Sequence, residues 1–357
     1  MRIGFNVLPL KNAHRFRGIG VYTINLLEEL RSRSDLEIEE FEDINNLGEV
    51  DLIHYTTFDL FFSTLPVRKK FPTVVTIHDV IPLIFPEQHP VGVKGKINFF
   101  RQKFALKSCK KIITVSEVSK KDIINFLKIS EEKITVIKEA ASPSMRILSE
   151  GQTLRIKRKF NLPDNFLLYV GDANYVKNLP FLIEGFDKIK QKAEFSDLKL
   201  ILVGNVFLKK LDNIDHPELK SLKQVNKMIK NLKLEQDILR PGQLDLEDLI
   251  GFYNSATIYV QPSLYEGFGL PVLEAMSCGT PVLSSNVGSL HEIGEAAPVY
   301  FNPRNLEQFV KVLVDVLQSR SLQDKLCKLG LIQAAKFSWE KVANETIEVY
   351  RQAIANK

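Results

Sequence analysis

Residues 259–282 read YVQPSLYEGFGLPVLEAMSCGTPV. An apolar run, Thr257–Gln261, gives way to Pro-Ser and a loop holding two glycines, the pattern of a strand that ends and turns. A helical pattern follows at once, with Pro271 placed at its first position, where the missing N–H costs nothing. Gly279 stops that helix, and Pro281–Ser284 opens a new strand. Strand, tight loop, helix and strand in so short a span form a βαβ unit. Gly267 and Gly269 lack a Cβ, so the backbone there can approach a ligand closely. The helix N-terminus offers free N–H groups and a partial positive charge, which suits a diphosphate. Glu266 stands just before the helix and Glu274 is read in its first turn. Both carboxylates are therefore expected to face one pocket and to accept hydrogen bonds from sugar hydroxyls.

Outward from this stretch the same alternation runs along the chain. Phe166–Gly171 and Leu198–Gly204 read as further strands of the second half, and Ile3–Leu8, Leu52–Tyr55, Thr73–Ile77 and Lys111–Val115 as strands of the first. They are Val/Ile/Leu-rich and nearly continuous, as parallel strands covered on both faces must be. The chain has 357 residues, enough for two ordinary domains. The best boundary lies in residues 141–165, where a loop at Ala141-Ser-Pro-Ser, a basic helix at Arg155–Phe160 and a turn at Leu162-Pro-Asp-Asn precede a fresh strand. The expected division is 1–160, 161–336 and a closing helix 337–357. Ligands of doubly wound domains sit beyond the carboxyl ends of the strands. Val206–Glu235 is polar and lysine-rich, the pattern of a surface helix and loop.

Within the second half, LYVGDANYVKNLPFLIEGF (168–186) is a strand, a glycine turn and a helix. Lys177 lies at the start of that helix, where a positive charge is electrostatically wrong unless an anion accompanies it. Asn178 is expected to cap the helix. In the first half, Arg17-Gly-Ile-Gly-Val-Tyr-Thr follows the first strand and opens a helix. Gly18 and Gly20 alone are a weak signal, and Thr23 occupies the third position of the dinucleotide pattern, which disfavours NAD. His78, in Thr76-Ile-His-Asp-Val-Ile-Pro, ends a strand where such domains place ligand contacts; a hydrogen-bonded structural histidine is the alternative. Ser116 reads as a helix cap.

The bulk composition bounds the partners. Net charge is +5 and 45% of residues are hydrophobic, a globular balance that gives no reason to expect nucleic acid. Cys109, Cys278 and Cys327 are widely separated, so neither disulfide nor metal spacing is present. They read as small buried apolar residues of a chain in the cytoplasm. No signal-peptide layout follows Met1, and no apolar run approaches the roughly 20 residues that span a bilayer. Residues 93–111 carry seven Lys or Arg and no acid, interleaved with Ile97, Phe99, Phe100, Phe104 and Leu106. A basic helix with aromatic residues suits an anionic membrane surface, peripheral on its inner face; an amphipathic helix with a solvated basic side is the alternative.

The quoted string, with Glu266 and Glu274 eight positions apart among its glycines and Pro271, resembles the retaining glycosyltransferases of family four, which carry the glycosyl transferases group 1 domain. The resemblance extends to 168–186, to His78 and its neighbours, and to Phe337-Ser-Trp-Glu near the end. It implies the α/β GT-B fold, two Rossmann-like domains facing each other across a cleft, with the last helix crossing back to the first domain. It implies that Glu274 holds the ribose, that Glu266 lies by the donor sugar and that Lys177 neutralises the diphosphate. His78 is implied beside the transferred sugar. Gly18, Gly20, Asn178, Leu244, Gly267, Phe268, Gly269 and Leu270 complete the implied donor site. Many relatives carry an arginine where this chain has Asp172-Ala173-Asn174, which leaves one cation fewer unless Arg17 or Arg240 substitutes. No cofactor and no metal are expected, since lysine and helix would stabilise the leaving diphosphate by electrostatic preorganisation. The motifs are most similar to bacterial mannosyltransferases of surface-polysaccharide assembly, which implies GDP-mannose first and a saccharide or lipid-linked acceptor. A glycoside hydrolase has no need of a phosphate-binding helix, while a nucleotide-sugar-binding subunit without catalysis stays open.

Overall fold

Among the residues described, the apolar runs become two six-stranded sheets in which every pairing is parallel. The computed structural model describes residues 1–11, 18–209, 211 and 217–355. The chain divides into two units, 1–142 together with 337–357, and 143–336.

In the first unit, β1 (Arg2–Asn6), β2 (Glu37–Phe41), β3 (Leu52–Tyr55), β4 (Thr73–Ile77), β5 (Lys111–Thr114) and β6 (Ile134–Val136) lie in the order β2-β1-β3-β4-β5-β6. Its helices are α1 (Gly18–Arg31), α2 (Ile81–Ile84), α3 (Val93–Lys107), α4 (Glu117–Asp122) and, from the end of the chain, α13 (Trp339–Ala355). Successive strand residues point to opposite faces. Leu52, Val74 and Ile113 enter a core with Trp339, Val342 and Tyr350 of α13. Their neighbours Ile53, Val75 and Ile112 enter another with Ala105 and Leu106 of α3. Burial on both sides is why these strands are apolar throughout. β2, at the sheet edge, is not: its glutamates reach solvent, and no apolar run announces it.

The second unit holds α5 (Glu150–Phe160), β7 (Phe166–Val170), α6 (Leu179–Lys190), β8 (Lys199–Val203), α7 (Lys220–Asn231), β9 (Ile238–Gly242), α8 (Leu246–Ser255), β10 (Ile258–Gln261), α9 (Leu270–Ser277), β11 (Val282–Ser285), α10 (Leu290–Gly294), β12 (Val299–Phe301), α11 (Leu306–Gln318) and α12 (Arg320–Ala334). The strand order is β12-β11-β10-β7-β8-β9. The chain therefore winds outward from β7 through β8 and β9, then returns to the other side of β7 with β10. Right-handed crossovers send the helices after β7 and β10 to opposite faces, and a crevice opens between the two strand ends.

Residues 143–160, read from sequence with the first domain, belong to the second unit. α5 packs on α8: Ile156 sits where a side chain on Gly251 would stand, the Phe160 and Phe252 rings are 5.0 Å apart, and Lys159 Nζ lies 2.6 Å from Asp248 Oδ2. Cys109 and Cys278 are buried, but Cys327 is only partly so, contrary to the uniform burial expected of all three.

Candidate functional site

In the second unit, the loops leaving β7 and β10 are stitched together at the crevice. Leu264 N–H donates to Val176 O at 2.7 Å. Lys177, closing a short turn after β7, places Nζ 2.8 Å from both carboxylate oxygens of Glu266. Glu266 is buried and accepts further hydrogen bonds from Gln261 Nε2 (2.8 Å) and Ser263 Oγ (2.6 Å). Tyr259 donates to Gln261 Oε1 in turn. A buried carboxylate needs a cation and filled lone pairs, and here it has both. Lys177 has three N–H donors. Among the described residues only the Glu266 carboxylate accepts from them.

The Glu266 loop is fixed from below by the end of β11 and the segment that follows it. Ser285 Oγ donates to Ser263 O at 2.7 Å, and Ser289 Oγ lies 3.0 Å from Glu266 O and 2.6 Å from Phe268 O. Gly288 has φ +58°, and a Cβ there would stand 2.9 Å from the Glu266 carbonyl oxygen. Gly269 has φ +108° and abuts Leu290. Its lack of a side chain thus serves the loop's own conformation. Gly267, Phe268, Gly269 and Leu270 are all buried.

Three local expectations are corrected. Asn178 does not cap α6 with its side chain; the residue is left-handed (φ 55°), and its Nδ2 donates to Pro262 O (3.1 Å) and Pro303 O (3.0 Å), tying three loops. Pro271 is the second helical residue, because Leu270 is already helical. Glu274 consequently falls beyond the first turn of α9. It is buried, its Oε2 accepts from Tyr253 OH at 2.8 Å, and burial pushes its pKa up to about 7 despite that hydrogen bond. No cation pairs with it among the described residues.

Leu244 sits between β9 and α8, partly buried, at the same end of the sheet. Arg240, on β9, is half-buried and donates to Asn226 Oδ1 at 2.8 Å. Arg17 lies outside the described residues. A cavity of about 730 Å³ opens at the opposite, amino-terminal ends of the strands, between Asn165, Leu198, Thr257 and Pro281, away from Lys177 and both glutamates.

In the first unit, His78 follows β4. Its Nδ1 is 2.9 Å from Glu139 Oε1 and its Nε2 is 3.1 Å from Thr56 O. Tyr22 of α1 meets the ring edge-on at 4.8 Å between centroids. Tyr22 OH is 2.9 Å from Thr76 Oγ1, which is 2.9 Å from His54 Nε2, and His54 Nδ1 is 2.7 Å from Tyr350 OH of α13. Burial, with the nearby His78, drives the His54 pKa down to about 3. Gly18 opens α1 and is exposed, with Gly20 buried in the same first turn. Ser116 caps α4, accepting from Ser119 N–H at 3.0 Å.

Sequence reasoning did not find Gln261, Ser263, Tyr253 or Glu139. The first two lie inside the quoted string, and polar residues at the end of a buried strand were their signal. Tyr253 and Glu139 stand alone on the pattern around them and carried none.

On α3, Val93, Ile97, Phe100 and Phe104 recur at helical spacing, and all are exposed, Phe100 to 70%. Lys103 places Nζ 5.8 Å from the Phe99 ring. Among the described residues, no helix is long and apolar enough to cross a membrane.

Comparison with known proteins bears directly on this geometry. Residues 151–330 match the glycosyl transferases group 1 family, and residues 38–141 match glycosyltransferase family 4. The chain is 31% identical over 281 residues to the O-antigen chain mannosyltransferase B of Escherichia coli, covering 78% of this chain and 70% of that one. It is 28% identical over 314 residues to the serotype-specific mannosyltransferase WbdA of Escherichia coli, covering 85% of this chain but only 37% of that longer protein. Among solved structures, sucrose-phosphate synthase from Thermosynechococcus elongatus aligns over 100% of both chains with a TM-score of 0.77 at 19% identity. HepE of Anabaena, in complex with UDP and glucose, aligns over 98% of both with a TM-score of 0.74 at 16% identity. At such identities these likenesses establish the fold, which is GT-B. Both strand-loop-helix strings that meet at the Lys177–Glu266 pair fall inside the matched segment 151–330, and the chain belongs to the glycosyl transferases group 1 family.

Proposed function

We propose that the protein moves a hexose from a nucleoside-diphosphate sugar to a saccharide or lipid-linked acceptor, with retention at the anomeric carbon and without a metal ion. Mannose from GDP-mannose is the first choice, in keeping with relatives named as mannosyltransferases. The observation that carries the reading is the Lys177–Glu266 pair at the topological switch point of the second unit. Lys177 retains a donor for a phosphate oxygen, the positive end of the α9 dipole adds to it, and Glu266 is a fixed carboxylate for the donor sugar. Glu274 is assigned to the ribose hydroxyls, and Leu244 and Leu270 to the walls of the nucleotide site. Gly18 and Gly20, in the first turn of α1, are assigned to donor binding through their backbone N–H groups. As the diphosphate departs it gains charge, and preorganised donors stabilise that charge more than they stabilise the bound donor.

Calorimetric titration with GDP, UDP, GDP-mannose and UDP-glucose, run beside initial rates with and without acceptor, tests this. Sugar transfer that requires acceptor and survives excess EDTA is expected. Release of free sugar as the main reaction, or activity abolished by EDTA and restored by Mg²⁺ or Mn²⁺, refutes it. Nucleotide-sugar binding with no turnover on any acceptor would leave a binding subunit.

The exposed face of α3 supports a peripheral contact with anionic lipid. Its apolar stripe is flanked by Lys96, Arg101, Lys103 and Lys107, each worth about 1 kcal/mol near such a surface. Sedimentation with vesicles containing anionic lipid should recover the protein, less so as salt rises. Equal recovery on neutral vesicles, or none on either, removes the contact from the reading.

A further inference from the structure

His78 is held so that both ring nitrogens face acceptors. Nδ1 meets the Glu139 carboxylate at 2.9 Å and Nε2 meets the Thr56 carbonyl at 3.1 Å. A neutral imidazole has one N–H and one lone pair. In either tautomer, one of these contacts would set lone pair against lone pair. Against an ionised carboxylate only the imidazolium satisfies both; a neutral ring would require a Glu139 carboxylic acid donating to Nδ1. Rotating the ring about its axis does not help, since a C–H would then replace a nitrogen at the carboxylate.

The surroundings fix this arrangement from several elements. Thr56, just past β3, donates its hydroxyl to Asn6 O at 3.0 Å, which immobilises the peptide that carries the accepting carbonyl. Ser119 of α4 donates to His78 O at 3.0 Å. The Tyr22 ring closes the edge of the imidazole. Glu139, beyond the end of β6, is buried, and among the described residues His78 is the one cation paired with it.

We propose that Glu139 is a positioning residue that holds His78 as an imidazolium with both N–H groups engaged, so that His78 serves the transfer reaction as a fixed cation and never as its base. The role in transfer rests on the glycosyltransferase reading above, whereas the charge state does not. The electrostatics around the ring agree. Burial by itself opposes the charge, but the hydrogen bond and charge of Glu139, the Thr56 carbonyl and the charge of Asp79 outweigh it and hold the pKa above the ordinary value. The other titratable groups against the ring do not compete. His54 is neutral, pushed down to about 3, and Tyr22 is held in its neutral form by burial.

The test uses the whole protein labelled with ¹⁵N-histidine. The chain has six histidines, and the His78 signals are those lost in His78→Gln. Long-range ¹H–¹⁵N spectra at pH 7 should show both ring nitrogens of His78 protonated. In Glu139→Gln the titration should move down by about one to two pH units, the worth of a charge-assisted hydrogen bond. The alkaline limb of the kcat/KM profile should move down with it, and acid should rescue the variant. Damage to packing alone would lower the rate at every pH. A wild-type spectrum with a single protonated nitrogen at pH 7 overturns the proposal, as does a Glu139→Gln titration that matches wild type. If the variant fails to fold, the wild-type spectrum still decides. If no nucleotide sugar supports transfer while the spectra behave as described, the glycosyltransferase reading fails and the charge assignment stands.

Discussion

Each unit carries a buried carboxylate paired with a cation at the loops its sequence motifs mark, Glu139 with His78 and Glu266 with Lys177, and the two pairs differ in what they leave open. In the first unit Glu139 holds His78 at 2.9 Å, and the remaining ring nitrogen is taken by Thr56 O. In the second, Glu266 holds Lys177 at 2.8 Å, and the ammonium keeps a donor in hand. Both pairs meet the same electrostatic need, since a carboxylate removed from water requires a counter-charge. The difference lies in valence. An imidazolium has two N–H groups and spends both; an ammonium has three. A closed pair orders the protein around it, whereas an open pair can take up a ligand without first being broken.

The largest expected effect falls on the open pair. Glu266→Gln should lower kcat by about 10²–10³-fold, the scale of a preorganised transition-state contact, with nucleoside diphosphate affinity nearly intact. Initial rates and calorimetry on the same preparation decide it. Loss of nucleotide binding at unchanged turnover would exchange the roles of Glu266 and Glu274.

Lys177→Ala should weaken binding of donor and free nucleoside diphosphate alike. A lost charge-assisted hydrogen bond is worth about 1.5–3 kcal/mol, roughly a 10- to 150-fold rise in Kd. Glu139→Gln, on the closed pair, should leave that Kd within twofold. Equal losses in the two variants would erase the distinction between open and closed.

A third carboxylate sharpens the comparison, because among the described residues no cation pairs with Glu274. Its pKa is raised to about 7 by burial, from an unfolded value near 4.5. Between these values the unfolded state binds fewer protons than the folded one, so stability falls as pH rises through the window and is level above it. The penalty at neutral pH is at most about 3 kcal/mol. Chemical denaturation of Glu274→Gln against wild type should therefore show the variant gaining relative stability from pH 5 to pH 7.5. A difference that is flat with pH would mean that Glu274 is charged throughout.

The strings around the open pair were legible because glycine and proline punctuate them and because a lysine at a helix start asks for an anion. The strand order was not: β9 contains Pro241, and three of the five residues of β2 are glutamate, both at sheet edges where neighbours place little demand on sequence. Asn178 was misjudged because an asparagine before a helix favours capping, yet here the residue turns left-handed and its amide ties Pro262 and Pro303. Glu274 falls one position later in the helix than expected, past its first turn, because Leu270 enters ahead of Pro271. Residues 143–160 were assigned to the wrong side since their packing on α8 depends on Gly251, distant in sequence. Glu139 left no trace because a single acid after an apolar run has no spacing to betray it.

The first unit is written in two pieces, with the whole of 143–336 between them. Its core is incomplete without Trp339, Val342 and Tyr350, and the hydroxyl that faces His54 Nδ1 is supplied by Tyr350. A ribosome adds about 5–20 residues per second. Residues 1–142 therefore wait roughly ten to forty seconds for their last helix, while the second unit, continuous in sequence, has every strand it needs as soon as it emerges. The order of synthesis thus runs against the order of folding, and the half that begins first is the half that must be finished last.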